Sequence, residues 1–264
     1  MLWHERSWPQ LAAADKNIPV IVPLGSCEQH GHHLPVFVDT LQVDAIAKQV
    51  ESQLKDRVLL APTLWLGSSH HHKDFAGTLS LTPLLYAQVI QQVALSIIQA
   101  GFKKIFFLNG HGGNRTPAAD ALSDLVATHD RADETYLVLT NWWEISAPNI
   151  SGNKLDMEQA VISHACEYET SLMLAIRPDL VHPDRIQVQK NVLANDWWTP
   201  DDDSKTRVAV FRRFHRLTAA GSTGLPAAAT EQKGKDLLHA VTAEIIRFIR
   251  DFAAWPPLPP IGPR

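Results

Sequence analysis

Cysteine is close to absent: Cys27 and Cys166 are the only two in 264 residues. Two thiols do not make the disulfide framework of a small secreted scaffold, so the chain must hold itself together by a packed core, and a reduced, cytoplasmic setting is the expectation. Nor is there a surplus of one charge sign. The formal net charge is −4 and no basic run stands out, which removes the attraction that nucleic acid or anionic lipid would need. No apolar run reaches the roughly 20 residues of a membrane-spanning helix, and residues 1–6 lack the basic-then-apolar order of a signal peptide. These absences leave a small, roughly neutral molecule as the expected partner, with neither nucleic acid nor membrane.

What is present is apolar content, at 45% of residues, enough at this length for one sizeable α/β domain. No repeat and no linker divides it, so residues 1–264 read as a single domain. A short apolar, β-branched run at 18–24 predicts a strand, and 58–65, 104–108 and 136–140 read as three more. Between them, 39–54, 83–100 and 116–128 carry helical apolar spacing, and Gly101 supplies a helix-ending glycine. Strand and helix in alternation call for a mostly parallel sheet with helices on both faces, an α/β fold. Residues 149–176 read as loop and then helix, and 232–252 as a closing helix. The stretch 187–217, with Asp196-Trp197-Trp198 and Asp201-Asp202-Asp203, reads as an irregular or antiparallel excursion. The proline-rich tail at 256–260 cannot continue a helix.

Thirteen histidines are many for this length, and most fall in short clusters. In "GSCEQHGHHLP", after the first strand, Glu28 and His30 stand two residues apart and can point the same way in an extended turn. Asp39, opening the next helix, can fold back over them. His70-His71-His72 follow the second strand, and "NGHGGN", with His111 at its centre, follows the third. Ligands of open parallel sheets bind beyond the carboxyl ends of the strands, where all three clusters land. A fourth cluster, His164-Ala165-Cys166-Glu167-Tyr168-Glu169, opens a helix. Carboxylates mixed with imidazoles suit a borderline divalent ion such as zinc, manganese or iron, and a shared carboxylate can bridge two of them. His164 can serve as a general acid–base, and Glu167 or Glu169 can complete a metal shell.

Rival readings attach to each cluster. Glu28 and Asp39 can be solvated loop or helix-cap residues, and Glu167 and Glu169 can simply complement a helix dipole. The glycines around His111 can form a phosphate-binding turn, although the spacing fits neither common nucleotide loop. A nucleophilic Cys27 lacks any visible activating arrangement. His70 to His72 read equally as substrate contacts or a polar loop, and Trp142 and Trp143 equally as pocket wall or core. A non-catalytic small-molecule or nucleotide-binding protein using the same crevice is the alternative for the whole chain, and a metal-stabilised structural subunit a further one.

Four segments together resemble the creatininase family of binuclear-metal amidohydrolases: "PLGSCEQHGHHLPVFVDT" at 23–40, "FAGTLSL" at 75–81, "NGHGGN" at 109–114 and "HACEYETSLML" at 164–174. The resemblance implies a three-layer α/β/α domain that assembles into homo-oligomers, often hexamers, with two divalent ions per site and a small-molecule amide substrate. By motif position, Glu28 and His111 would hold one ion and His30 the other. Asp39 would bridge them, Glu169 would complete the second shell, and His164 would shuttle protons. The chain departs from creatininase proper, whose third motif resembles "NGHYEN" with a tyrosine at the substrate and a glutamate on the metal. Gly112 and Gly113 stand there instead, and Val161-Ile162-Ser163 replace a Trp-Asp pair before His164. The resemblance is therefore nearer to branches that open or deformylate formamidopyrimidines or trim a peptide-derived cofactor precursor. The expected reaction is hydrolysis of a C–N bond in a small cyclic amide or formamide.

Overall fold

The computed structural model describes residues 1–151, 154–187, 195–198, 207–259 and 262. Asp201, Asp202, Asp203 and Pro260 lie outside the described residues. Strand β1 (Val20–Leu24) is buried along its whole length, as a strand covered on both faces must be. It leads through the first histidine cluster into helix α1 (Val38–Leu54), whose Val43, Ile46, Ala47 and Val50 form a buried stripe.

Strand β2 is only Leu59–Leu60, against the 58–65 run read from the sequence. Pro62 has no N–H to give a ladder, and past it the chain rejoins β1 only as an isolated bridge between Leu64 and Leu24. Helix α2 (Pro83–Gln99) begins at Thr82, whose side chain accepts from the Leu85 N–H, with Pro83 in its first turn. Ala100 is its C-cap and Gly101, one residue on, takes the φ of +97° that favours glycine. Strand β3 (Lys104–Asn109), helix α3 (Arg115–Thr128) and strand β4 (Tyr136–Asn141) follow. Two one-turn helices, Trp142–Ile145 and Ala147–Ile150, precede helix α4 (Glu167–Ile176), and α5 (Glu231–Ala254) closes the fold. Cys166 is the N-cap residue of α4.

The four strands are all parallel in the order β2-β1-β3-β4. Ile21, Phe106 and Leu108 pack with α1, α4 and α5 on one face, while Val20, Val22, Ile105 and Phe107 pack with α2 and α3 on the other. Alternate residues of one strand thus serve opposite layers, the period-two rule in a sheet clothed on both sides. This is the α/β/α sandwich expected. Among described residues, 207–217 contain a single 3-10 turn, Phe214–Arg216, and no strand. After α5, Trp255 packs on Tyr136, and the Tyr136 hydroxyl donates to the Pro256 carbonyl at 2.8 Å. No helix of the described residues is long and apolar enough to cross a membrane.

Candidate metal centre

Because every strand is parallel, the loops after β1, after β2 and after β3 leave the sheet at one edge. Asn114 stitches them together. Its amide donates to the Gly25 carbonyl at 2.9 Å and the Asn109 side chain at 3.1 Å, and its Oδ1 accepts the Ser68 N–H at 2.8 Å. The segment at Cys27–Glu28 is pinned as extended backbone by Leu79 N to the Cys27 carbonyl, 2.9 Å, and Glu28 N to the Val36 carbonyl, 2.8 Å. Glu28, His30, Asp39, His111 and Glu169 converge there, all buried. The motif spacing made Asn114 visible, but only the fold shows that it joins three loops.

The tautomers are set by backbone carbonyls. His30 Nδ1 donates to the Glu28 carbonyl at 3.1 Å, which leaves the lone pair of Nε2 facing Asp39 Oδ1 at 3.2 Å. His111 Nε2 donates to the Ser68 carbonyl at 3.2 Å, which leaves Nδ1 facing Asp39 Oδ2 at 3.0 Å and Glu28 Oε1 at 3.3 Å. Each oxygen of one carboxylate therefore meets a different imidazole nitrogen, a pairing that takes up a proton or a metal cation between its members. Glu28 Oε2, His30 Nε2 and Asp39 Oδ2 have no hydrogen-bond partner despite full burial. Orphaned buried acceptors are costly unless a cation lies between them. His30, Asp39 and Glu169 offer one ligand atom each, all within 4.8 Å of one another. The residues present fit a divalent metal ion.

Electrostatics agree. Burial opposes a charge on His30, yet Asp39 outweighs it and holds the imidazole up to about 9. His111 is likewise raised, burial being overcome by Glu28 and Asp39. Burial also opposes charge on Asp39, but His30 and His111 keep its carboxyl below the usual range. Glu169 is pushed by burial up to about 7. Positive charge is thus welcome between His30 and Asp39 and between His111 and Asp39. By contrast, burial and neighbouring imidazoles push His72 and His164 well below the ordinary histidine value, so both stay neutral.

His164 sits beyond this group, reached through Ala165, whose φ of +50° is strained for a residue with a Cβ. Its Nε2 donates to the Gln29 carbonyl at 2.7 Å, so Nδ1 is the atom turned inward, 3.5 Å from Glu28 Oε1. Gln29 also donates through its amide to His72 Nδ1 at 2.9 Å, and His72 Nε2 lies 3.4 Å from Glu28 Oε1. Phe214 stacks on His72 with centroids 4.2 Å apart and meets His164 edge-on at 4.6 Å. Asp74 holds that wall in place, accepting from Arg213 and His215, each at 2.8 Å. Trp143, Phe214 and Thr223 line a pocket of about 230 Å³ over the centre, whereas Trp142 is core.

Gln29 and Phe214 are the residues that sequence reasoning missed, while His72 belongs to the tract read equally as substrate contact or polar loop. The pairing of Gln29 with His30 in "EQH" was a usable signal; Phe214 had none. Glu167, one of two candidates on α4, is turned away. Its buried carboxylate accepts the Glu158 and Gln159 N–H groups and pairs with Lys233 Nζ at 2.7 Å, tethering the segment that leads to His164. Lys233→Ala is expected to lower stability by about 3 kcal/mol, because it leaves a buried carboxylate without its cation; urea unfolding showing a loss under 1 kcal/mol would contradict this. Burial raises the Cys27 thiol and holds Cys166 up to about 12, so neither is poised as a nucleophile.

The chain is 32% identical over 177 residues to a mycofactocin precursor peptide peptidase of Mycobacterium ulcerans, covering 63% of this chain and 62% of that protein. It is 30% identical over 196 residues to the creatinine amidohydrolase of Pseudomonas putida, covering 69% and 74%. The chain thus spans about three fifths to three quarters of the length of these relatives. Its fold superposes on a creatininase variant in complex with creatine with a TM-score of 0.79, at 25% identity, over 96% of this chain and 98% of that one. With the creatininase family profile, described as creatinine amidohydrolase, matching residues 4–249, the chain belongs to the creatininase family of hydrolases.

Proposed function

We propose that this protein hydrolyses a C–N bond in a small cyclic amide or formamide, using two divalent ions drawn from zinc, manganese or iron. Glu28, Asp39 and His111 would hold one, and His30, Asp39 and Glu169 the other. The observation that carries this reading is the placement of the two Asp39 oxygens, each against the free nitrogen of a different buried histidine. Ions bound there supply Lewis acidity, polarising a carbonyl and bringing the ionisation of a water near neutral pH.

The chain's own groups do the rest. His164 is held neutral, with Nε2 fixed on the Gln29 carbonyl, so Nδ1 can take a proton from the attacking water and return it to the leaving nitrogen. Trp143 and Phe214 wall the pocket and suit a flat heterocycle, which they also shield from bulk water. A Cβ at Gly112 would have nothing within 4 Å, so the side where the resemblance gives creatininase a tyrosine is open here. A formamidopyrimidine-like substrate is therefore proposed ahead of creatinine, and the similarity to precursor-peptide peptidases adds short peptides to the assay.

Protein purified without chelator or histidine tag is expected to carry about two transition-metal ions per chain. Chelation should abolish turnover of one member of a panel of cyclic amides, formamides and short peptides, and zinc or manganese should restore it. Failure to take up either metal would overturn the reading. A ligand that raises Tm without forming product, chelator present, would favour a binding protein instead.

A further inference from the structure

We propose that His71 is an additional protein ligand to the ion on the His111 side, and that residue 113 is glycine because the loop carrying His71 seats on it. The inference rests on the two-ion reading above. Glu28, His71 and His111 offer one ligand atom each, all within 4.8 Å of one another. The His71 ring lies nearly parallel to that of His111, 12° between planes and 5.7 Å between centroids, and it lines the same pocket.

Its neighbours on the 3-10 turn His70–His72 are engaged elsewhere. His70 Nδ1 bonds Ser80 Oγ at 3.0 Å, and His72 Nδ1 accepts from Gln29 at 2.9 Å. The Ser69 N–H donates to the same Ser80 Oγ at 2.7 Å. The turn is thus anchored on both sides of His71, while His71 itself makes no hydrogen bond to another described residue. An imidazole held in position with its nitrogens unspent, beside a carboxylate and a second imidazole, is a preorganised donor.

Gly113 gives the independent observation. A Cβ there would collide with the Ser68 carbonyl and come within 2.5 Å of His111 Nε2 and 2.7 Å of His71 Cε1. The Ser68 carbonyl is the group that fixes the His111 tautomer. The glycine therefore admits a loop that does two things at once: it turns the His111 lone pair inward and brings His71 alongside. With His71, the His111-side ion has two nitrogen and two carboxylate donors. The His30-side ion has one nitrogen and two carboxylates. The two positions should differ in affinity, the nitrogen-richer one holding borderline metals more tightly.

The test is titration of the metal-free full chain with cobalt(II), followed by visible absorbance, and with zinc against a chromogenic chelator. Wild type is expected to fill two positions of unequal affinity. His71→Ala should weaken the tighter one by at least about tenfold and change its cobalt spectrum, with the other position unmoved. Gly113→Ala should do the same by displacing the loop, whereas Gly112→Ala, built into open space, should leave uptake as it was. If His71→Ala fails to fold by circular dichroism, His71→Gln and Gly113→Ala carry the same reading. Both positions holding metal within about twofold of wild type, with an unchanged spectrum, would overturn the assignment. So would unchanged uptake with a raised KM, which would give His71 to the substrate. Absence of metal uptake by wild type would instead remove the two-ion reading itself.

Discussion

Asp39→Ala is expected to lose both tight metal binding and turnover, the latter by at least a factor of about 1,000, or about 4 kcal/mol at 1.36 kcal/mol per decade. The two Asp39 oxygens face different histidines, Oδ1 standing 3.2 Å from His30 Nε2 and Oδ2 3.0 Å from His111 Nδ1. On the proposed two-ion reading, removing Asp39 would take a shared donor from each ion together with the negative charge that lets two cations sit close. It also leaves His30 and His111 buried without that carboxylate, so chelator-treated variant and wild type should be compared by thermal unfolding to separate misfolding from loss of metal. Asp39→Asn keeps the shape and one neutral oxygen and should fall between the two. Purified metal-free Asp39→Ala that retained activity would refute the bridging role outright.

His164→Ala is expected to do the opposite with metal, keeping both ions while losing about 100- to 10,000-fold in turnover, the usual range for a positioned acid–base group. The distinction matters because His164, Glu28 and His30 also offer ligand atoms within 4.8 Å of one another. Elemental analysis of the variant separates the roles. Two ions retained with turnover lost assigns proton transfer, while one ion lost makes His164 a ligand. With Nε2 spent on the Gln29 carbonyl, the inward Nδ1 is the atom that would serve in either role, so the metal count decides.

Much of this centre was legible before any coordinates, for a physical reason. Glu28 and His111 lie a few residues after apolar runs, and a parallel sheet must deliver the ends of such runs to one edge. Asp39 was readable as the opening of a helix whose buried stripe is plain in the sequence. Phe214 was not, because 207–217 has no period for a pattern argument to use. The burial of His72 was equally hidden: three successive histidines look like a polar loop until Phe214 is seen lying on one of them. The second strand was overextended because apolar content outlasts pairing once Pro62 interrupts the ladder. On α4 the choice between Glu167 and Glu169 turned on Lys233, 66 residues away from Glu167, a distance no local pattern spans.

The anchoring of Phe214 through Asp74 has a meaning for ancestry. The groups proposed to hold ions hang from strand ends and helix starts, which tolerate little change, while part of the wall that selects the guest belongs to an irregular stretch moored by Arg213 and His215 to one carboxylate. Such a stretch can be lengthened, shortened or exchanged while its mooring is kept. A lineage built this way can change what it cuts without relearning how to cut.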